Sequence, residues 1–215
     1  SIPETLPEID GRKARFINCD VREVEQINTC IAEVVKEYGK LDVLVNNAGG
    51  SPIAEAATAS PRFSEAIIKL NLIAPINTSQ AANQIMQDQE NGGTIINIAS
   101  VSTLRPSPGT AAYGAAKAGL VNLTGSLAVE WAPKVRVNAI IAGLTETEQS
   151  HIHYGDAKGV EAISKTIPMK RLATPKDVGN TCVFLASSLA AYINGASIEV
   201  HGGGEKPAYL SASNS

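Results

Sequence analysis

The stretch LDVLVNNAGG, residues 41–50, joins an apolar run to a polar, glycine-bearing end. The run 41–46 is nearly continuously apolar, as strands buried on both faces of a parallel sheet are. Asn47, Ala48 and Gly49 follow it, and glycine permits either a turn or a close approach of the backbone to a ligand. Because ligands bind beyond the carboxyl ends of parallel strands, we favour ligand binding for this segment.

Four further runs rich in β-branched residues alternate with helical patterns, and they cover residues 14–19, 94–99, 135–141 and 196–200. Such alternation is typical of βαβ units. The sequence therefore predicts an α/β fold with a parallel sheet.

Capping residues mark several helix ends. Asp20 with Glu23 has the pattern of a capping box opening a helix that Gly39 stops. Ser60 and Thr174 each precede a proline, which predicts two more helix starts.

The segments 110–131 and 143–170 differ in periodicity and polarity. The first predicts a long helix, whose glycines and alanines form a face suited to close packing against a sheet or a second subunit. The second is polar and aperiodic, as a lid or binding loop is, with a short helix at 160–165. We predict a single domain over residues 1–203 and a C-terminal tail over 204–215.

Composition indicates a globular protein, with 215 residues, 44% of them apolar and 18% charged. A net charge of −3 argues against a nucleic-acid partner. No apolar run approaches the ~18 residues that span a membrane, and the acidic N-terminus is unlike a signal peptide. Cys19, Cys30 and Cys182 are odd in number and lack CxxC spacing, which favours a cytoplasmic location.

Two pentapeptides place a tyrosine four residues before a lysine: YGAAK at 113–117 and YGDAK at 154–158. On a helix such residues share one face, and an ammonium near a phenol lowers the phenol's pKa. Ser100 stands thirteen residues before Tyr113 and just past a predicted strand, where its hydroxyl can hold a substrate oxygen. Ile141, at the same distance before Tyr154, has no hydroxyl. We therefore predict YGAAK as the acid–base pair and assign YGDAK to a substrate lid.

Asn71 lies in KLNLIAP, residues 69–75. Pro75 has no N–H to donate to the Asn71 carbonyl. That carbonyl is available to a water molecule, or the proline marks only a helix kink; both interpretations stay open.

Six motifs, in this order and spacing, resemble those of the short-chain dehydrogenase/reductase (SDR) family. They are Asp20–Val21, NNAG at 46–49, Asn71, Ser100, YxxxK at 113–117 and AGLTET at 142–147. The resemblance covers nearly the whole chain, from about Arg15 to Gly203. It implies a Rossmann-like, doubly wound parallel sheet in three αβα layers. It also implies a homodimer or homotetramer that moves a hydride between NAD or NADP and an alcohol/carbonyl pair of a small-molecule substrate.

The same resemblance implies a role for each matching residue. Tyr113 would be the general acid/base, with its pKa lowered by Lys117, which would also hold the nicotinamide ribose. Ser100 would polarise the substrate oxygen, and Asn71 would hold a relay water. The implied cofactor-binding residues are Asp20, Val21, Asn47, Ala48, Gly49, Tyr113, Lys117, Gly143, Thr145 and Thr147.

One departure from the family pattern is large: the glycine-rich TGxxxGxG turn is absent. We expect the first βαβ portion of the fold to be missing from this chain, which leaves the strand at 41–46 as an open edge. The alternative function is accordingly a non-catalytic, SDR-like binding or assembly subunit.

The segment HIHYGDAK, residues 151–158, also invites a metal interpretation. No cysteine or third histidine stands near His151 and His153, so we predict no metal site. His151, His153 and Tyr154 are instead predicted substrate contacts.

Overall fold

A four-stranded parallel sheet forms the centre of the computed structural model, which describes residues 6–147, 154–207 and 209–212. A small antiparallel hairpin of β1 (Glu8–Ile9) and β2 (Arg12–Lys13) comes first. The sheet then follows chain order: β3 (Val43–Asn46), β4 (Gly93–Ser100), β5 (Val135–Ala142) and β6 (Ser197–Val200). In its register Val45 lies beside Ile96, and Ile140 beside Ile198.

Helices cover both faces of this sheet. They are α1 (Val24–Tyr38), α2 (Pro61–Ile68), α3 (Ala74–Asp88), α4 (Ala111–Trp131), α5 (Ala157–Thr166), α6 (Pro175–Ala186) and the short α7 (Tyr209–Ala212). Ile95 packs with α3 and α4 in one apolar cluster, whereas its neighbour Ile96 packs with α6 in the other. Because successive strand residues point to opposite faces, the sheet is buried on both sides. The predicted three-layer α/β fold is confirmed.

The predicted helix ends are confirmed at three places. The Ser60 hydroxyl accepts a hydrogen bond from the Phe63 N–H, Thr174 and Asp177 form a reciprocal capping box, and Gly39 ends α1 with a φ of 73°. The predicted box at Asp20 is wrong, because α1 begins at Val24 and lacks a side-chain cap. The Asp20 carboxylate instead accepts hydrogen bonds from the backbone and guanidinium of Arg22.

The strand predicted at residues 14–19 is absent. None of the described strands lies beside this segment, and an unpaired strand leaves its backbone groups without partners. Among the described strands β3 pairs only with β4, so it forms the expected edge.

The helix at Asn71 is interrupted as its proline suggests. Residues Lys69–Ile73 form a π-helical turn between α2 and α3, in which the Ala74 N–H donates to the Lys69 carbonyl. Such turns widen a helix by one residue. Asn71 is thereby held fully buried in front of the sheet edge.

Within the described residues, none of the helices combines the length and the apolar character that crossing a membrane requires.

Candidate active site

A cleft of about 580 Å³ opens at the carboxyl edge of the sheet, where β3, β4 and β5 all end. Ligands of open α/β sheets bind at this edge. Eight of the residues predicted for the site line the cleft: Asn47, Gly49, Ser100, Tyr113, Lys117, Gly143, Thr145 and Thr147.

Ser100 and Tyr113 meet in this cleft although a loop separates them. Ser100 is the last residue of β4, and Tyr113 lies in the first turn of α4. Burial raises the pKa of Tyr113, while a hydrogen bond with Ser100 acts in the opposite direction. The Ser100 hydroxyl also contacts that of Ser102, at 3.3 Å. The phenol is therefore held in its protonated form beside a hydroxyl group.

Lys117 lies one turn after Tyr113 and is only 3% exposed. Its Nζ donates to the Ile98 carbonyl at 2.7 Å and lies 5.7 Å from the centre of the Tyr113 ring. Burial lowers the pKa of Lys117 from 10.5 to about 8. The expected lowering of the Tyr113 pKa by Lys117 is not found in this structure: burial raises that pKa, and Ser100 is the group that opposes the rise.

The Asn71 side chain holds the glycine segment that follows β3. Its Oδ1 accepts from the Gly50 N–H and its Nδ2 donates to the Gly50 carbonyl, both at 2.9 Å. A Cβ on Gly49 would stand 2.7 Å from Asn71 Oδ1 and 3.1 Å from Lys117 Nζ. Glycine is needed at position 49 because the side chains of Asn71 and Lys117 approach so closely.

Buried polar side chains fix β3 in front of this segment. Asn46 Nδ2 donates to Ser79 Oγ and to Asn97 Oδ1, at 2.9 and 2.8 Å. Thr78 Oγ1 donates to Asn46 Oδ1 at 2.6 Å. Satisfied networks of this kind rigidify the elements they join, here β3, β4 and α3. The first asparagine of NNAG is therefore structural.

The residues predicted for the adenosine side lie next to the main cleft. Val21, Asn47 and Ala48 line a smaller depression of about 90 Å³, and Asn47 also lines the main cleft. Asp20 lines neither depression. Hydrogen bonds from the Arg22 guanidinium hold the pKa of the Asp20 carboxyl far below its ordinary range.

Gly143 follows the last residue of β5 and lines the main cleft. A Cβ at this position would stand 2.7 Å from His201 Cα, so the turn requires glycine. The Thr145 hydroxyl donates to the Gly143 carbonyl at 3.1 Å, and Thr145 pairs with Ala173 in an isolated bridge. Thr145 and Thr147 thus line the cleft from a segment that the hydrogen bond to Gly143 and the bridge to Ala173 hold in place.

The second pentapeptide is not a helical pair. Gly155, with a φ of 77°, separates Tyr154 from α5, and the Asp156 carboxylate caps that helix by accepting from the Lys158 N–H. Tyr154 nonetheless lines the main cleft. Its pKa is raised by burial and by proximity to Tyr113, against a hydrogen bond with the Thr145 backbone. His151 and His153 lie outside the described residues.

A family model described as enoyl-(acyl carrier protein) reductase matches residues 4–205. The human protein named "Dehydrogenase/reductase SDR family member 4" is 32% identical over 187 residues, which cover 86% of this chain and 67% of that protein. The chain belongs to the short-chain dehydrogenase/reductase family.

Other SDR relatives match at similar levels. A Bacillus subtilis (strain 168) protein named "Probable 2,4-dienoyl-CoA reductase" is 36% identical over 209 residues, which cover 94% of this chain and 82% of that protein. The solved structure of ElxO with NADP bound has a TM-score of 0.81 and 34% identity, and the match covers 92% of this chain and 78% of that one. This SDR chain is accordingly an oxidoreductase that uses NAD or NADP.

The residues of the cleft fit the nicotinamide end of such a cofactor. Lys117 has three N–H donors, and among the described residues only the Ile98 carbonyl accepts from them. The remaining donors suit ribose hydroxyls. Thr145 and Thr147 line the same cleft, and threonine hydroxyls can hydrogen-bond an amide.

Among the residues that line the SDR cleft, sequence reasoning missed a charged one, Arg105. It lies in the irregular loop between β4 and α4, where no periodicity distinguishes its side chain. A signal existed, since Arg105 is the single charged residue between Ser100 and Tyr113.

Proposed function

We propose that this SDR chain interconverts a secondary alcohol and the corresponding carbonyl compound, with Tyr113 as the general acid/base. The observation that carries the proposal is the meeting of Ser100, Tyr113 and Lys117 in one cleft at the carboxyl edge of the sheet. A hydroxyl, a phenol and an ammonium at the same edge provide the groups needed to bind and protonate a reacting oxygen.

In the reduction, the Tyr113 phenol gives its proton to the substrate oxygen while the Ser100 hydroxyl hydrogen-bonds that oxygen. In the oxidation, Tyr113 takes the proton back. The nicotinamide, when bound, supplies or accepts the hydride. The raised pKa of Tyr113 keeps the phenol protonated at neutral pH, which favours the reducing direction there.

Lys117 and Asn71 support this proton transfer. With a pKa of about 8, Lys117 is charged at neutral pH, and it would hold the nicotinamide ribose. Pro75 cannot donate to the Asn71 carbonyl, which would hold a water that returns the proton to Lys117. The Asn71 side chain is engaged by Gly50 and so is not the water ligand.

The remaining predicted residues would bind the rest of the cofactor. Gly143, Thr145 and Thr147 would hold the carboxamide, and Asn47, Ala48 and Gly49 would contact the adenosine side with Val21. Asp20 would contact the adenine from its pair with Arg22.

Replacing each cleft tyrosine by phenylalanine tests the proposal. We expect Tyr113→Phe to lower kcat by about 100-fold or more, since general acid–base catalysis contributes about 10²–10⁴-fold. Affinity for NADH or NADPH, titrated by fluorescence, should stay within about twofold because the phenol oxygen contributes one hydrogen bond at most. A tyrosine-to-phenylalanine variant of ElxO was solved with NADPH bound, which supports this expectation.

The matched control is Tyr154→Phe, which should change KM or substrate preference at most. Rates are measured on a panel of secondary alcohols and ketones with both cofactors. Loss of turnover in Tyr154→Phe with an active Tyr113→Phe would overturn the assignment. A protein that binds neither cofactor in calorimetry would favour the assembly role instead.

A further inference from the structure

The charged side chains that line the cleft are few and of one sign. Among the lining residues that the structure describes, Arg105 and Lys117 are the charged ones, and neither Asp nor Glu occurs. Lys117 is buried against the Ile98 carbonyl and belongs to the proposed proton relay. Arg105 is therefore the cation that remains for the substrate.

Arg105 is only partly satisfied by its neighbours. Its Nη1 donates to the Pro106 carbonyl at 3.1 Å and its Nη2 to Glu205 Oε1 at 2.6 Å. Its Nε is buried and has no hydrogen-bond partner among the described residues. A buried N–H without an acceptor destabilises the structure until an acceptor reaches it.

Glu205 indicates which kind of acceptor suits this guanidinium. It lies after β6, in the segment leading to α7, and places a carboxylate on Arg105, although 100 residues separate the two. Guanidinium groups bind carboxylates through paired N–H donors. The side chains of both residues are 37% exposed, and ion pairs with that much solvent contribute little to stability. Another carboxylate can therefore replace Glu205 at small cost.

We propose that Arg105 binds a carboxylate of the substrate, and that Glu205 occupies this position until the substrate displaces it. The substrate class is then hydroxy acids and the corresponding keto acids. This inference rests on the proposed alcohol/carbonyl reaction at Tyr113 and adds to it the group by which substrates are selected.

The test compares hydroxy acids with their methyl esters, which lack the charge and carry one additional methyl group. Lactate, 3-hydroxybutyrate and gluconate, each with its ester, are assayed with the wild type, Arg105→Gln and Glu205→Gln. Since the net contribution of a hydrogen bond to a charged group corresponds to about 10- to 100-fold, Arg105→Gln should lower kcat/KM for the acids by that factor. It should leave the esters within about twofold. Glu205→Gln should instead lower KM for the acids, because the competing carboxylate is gone.

The two variants should change the kinetics of the acids in opposite directions, and this separates substrate recognition from a structural role of the ion pair. If the pair only ties the loop to the C-terminal segment, both variants break the same contact and must shift acids and esters alike, which would overturn the proposal. A wild type that prefers esters would also overturn it, yet would leave the reaction at Tyr113 standing. Failure of the wild type to oxidise any acid or ester would instead count against the reaction itself. Arg62→Gln, an exposed cation in α2, controls for the change in net charge.

Discussion

Lys117 places an ammonium where little solvent reaches it. Its side chain is 3% exposed and has the Ile98 carbonyl as a partner, and burial lowers its pKa from 10.5 to about 8. A buried charge with one neutral partner destabilises the folded state. The free energy of unfolding should therefore depend on pH through this residue.

The sign follows from the two pKa values. Below about pH 8 the ammonium is charged in both states, so the full penalty of burial is present. Between about 8 and 10.5 the folded protein has lost this proton while the unfolded chain still binds it, so stability rises with pH. Above 10.5 the penalty is gone. The shift corresponds to about 3 kcal/mol.

Lys117→Met isolates this contribution. Because methionine carries no charge, the difference in unfolding free energy between variant and wild type should change by about 3 kcal/mol in favour of the wild type between pH 8 and 10.5. Urea denaturation across this range measures it. Lys158→Met is the control, because solvent reaches that ammonium in both states. A pH-independent difference for Lys117→Met would contradict the burial of a charge.

At the scale of elements, α4 decides how Tyr113 and Lys117 meet the sheet. Gly119 lies where α4 passes the π turn, and a Cβ there would stand 3.1 Å from Leu72 Cδ2. Gly125 lies further along the same helix, and a Cβ added there would have no neighbouring atom within 4 Å. The predicted small-residue face thus contacts the π turn at Gly119 and leaves Gly125 free.

Alanine at these two glycines should have unequal effects. Gly125→Ala should raise the free energy of unfolding by about 1 kcal/mol, the usual gain in a helix interior. Gly119→Ala should gain less, because Leu72 must move aside and the gain in helix propensity is partly offset. Chemical denaturation of both variants measures this. Equal gains would show that the Leu72 contact is not tight.

At the scale of the whole molecule, local patterns predicted most of the fold. The runs at 94–99 and 135–141 and the caps at Ser60 and Thr174 depend on neighbours in sequence, and they are confirmed. The strand at 14–19 failed because a strand depends on a neighbouring strand, which a local pattern does not specify. The cap at Asp20 failed because Arg22, two residues on, occupies its carboxylate. The spacing of Ser100, Tyr113 and Lys117 predicted their meeting in the cleft, but not the burial that sets their pKa values. Arg105 was missed because it lies in an irregular loop, and its partner, Glu205, 100 residues away, is not specified by a local pattern.

The oligomeric state stays a prediction, and the surface of the described residues suggests where to test it. Val129 on α4 is 81% exposed and Val183 on α6 is 70% exposed. Single exposed apolar side chains are ordinary, yet α4 is also the helix whose small residues suit packing against a sheet or a second subunit. We expect light scattering to give two or four times the mass of one chain.

Lysine substitutions locate the interface. Val129→Lys should lower the measured mass if α4 forms it, because a charge buried at a contact is strongly unfavourable. Val183→Lys tests the face of α6 in the same way, and Ile9→Lys, in the β1–β2 hairpin and 73% exposed, is the control. A wild type with the mass of one chain contradicts the prediction of an oligomer. A dimer or tetramer that only Val183→Lys dissociates would keep the oligomer and move its interface from α4 to α6.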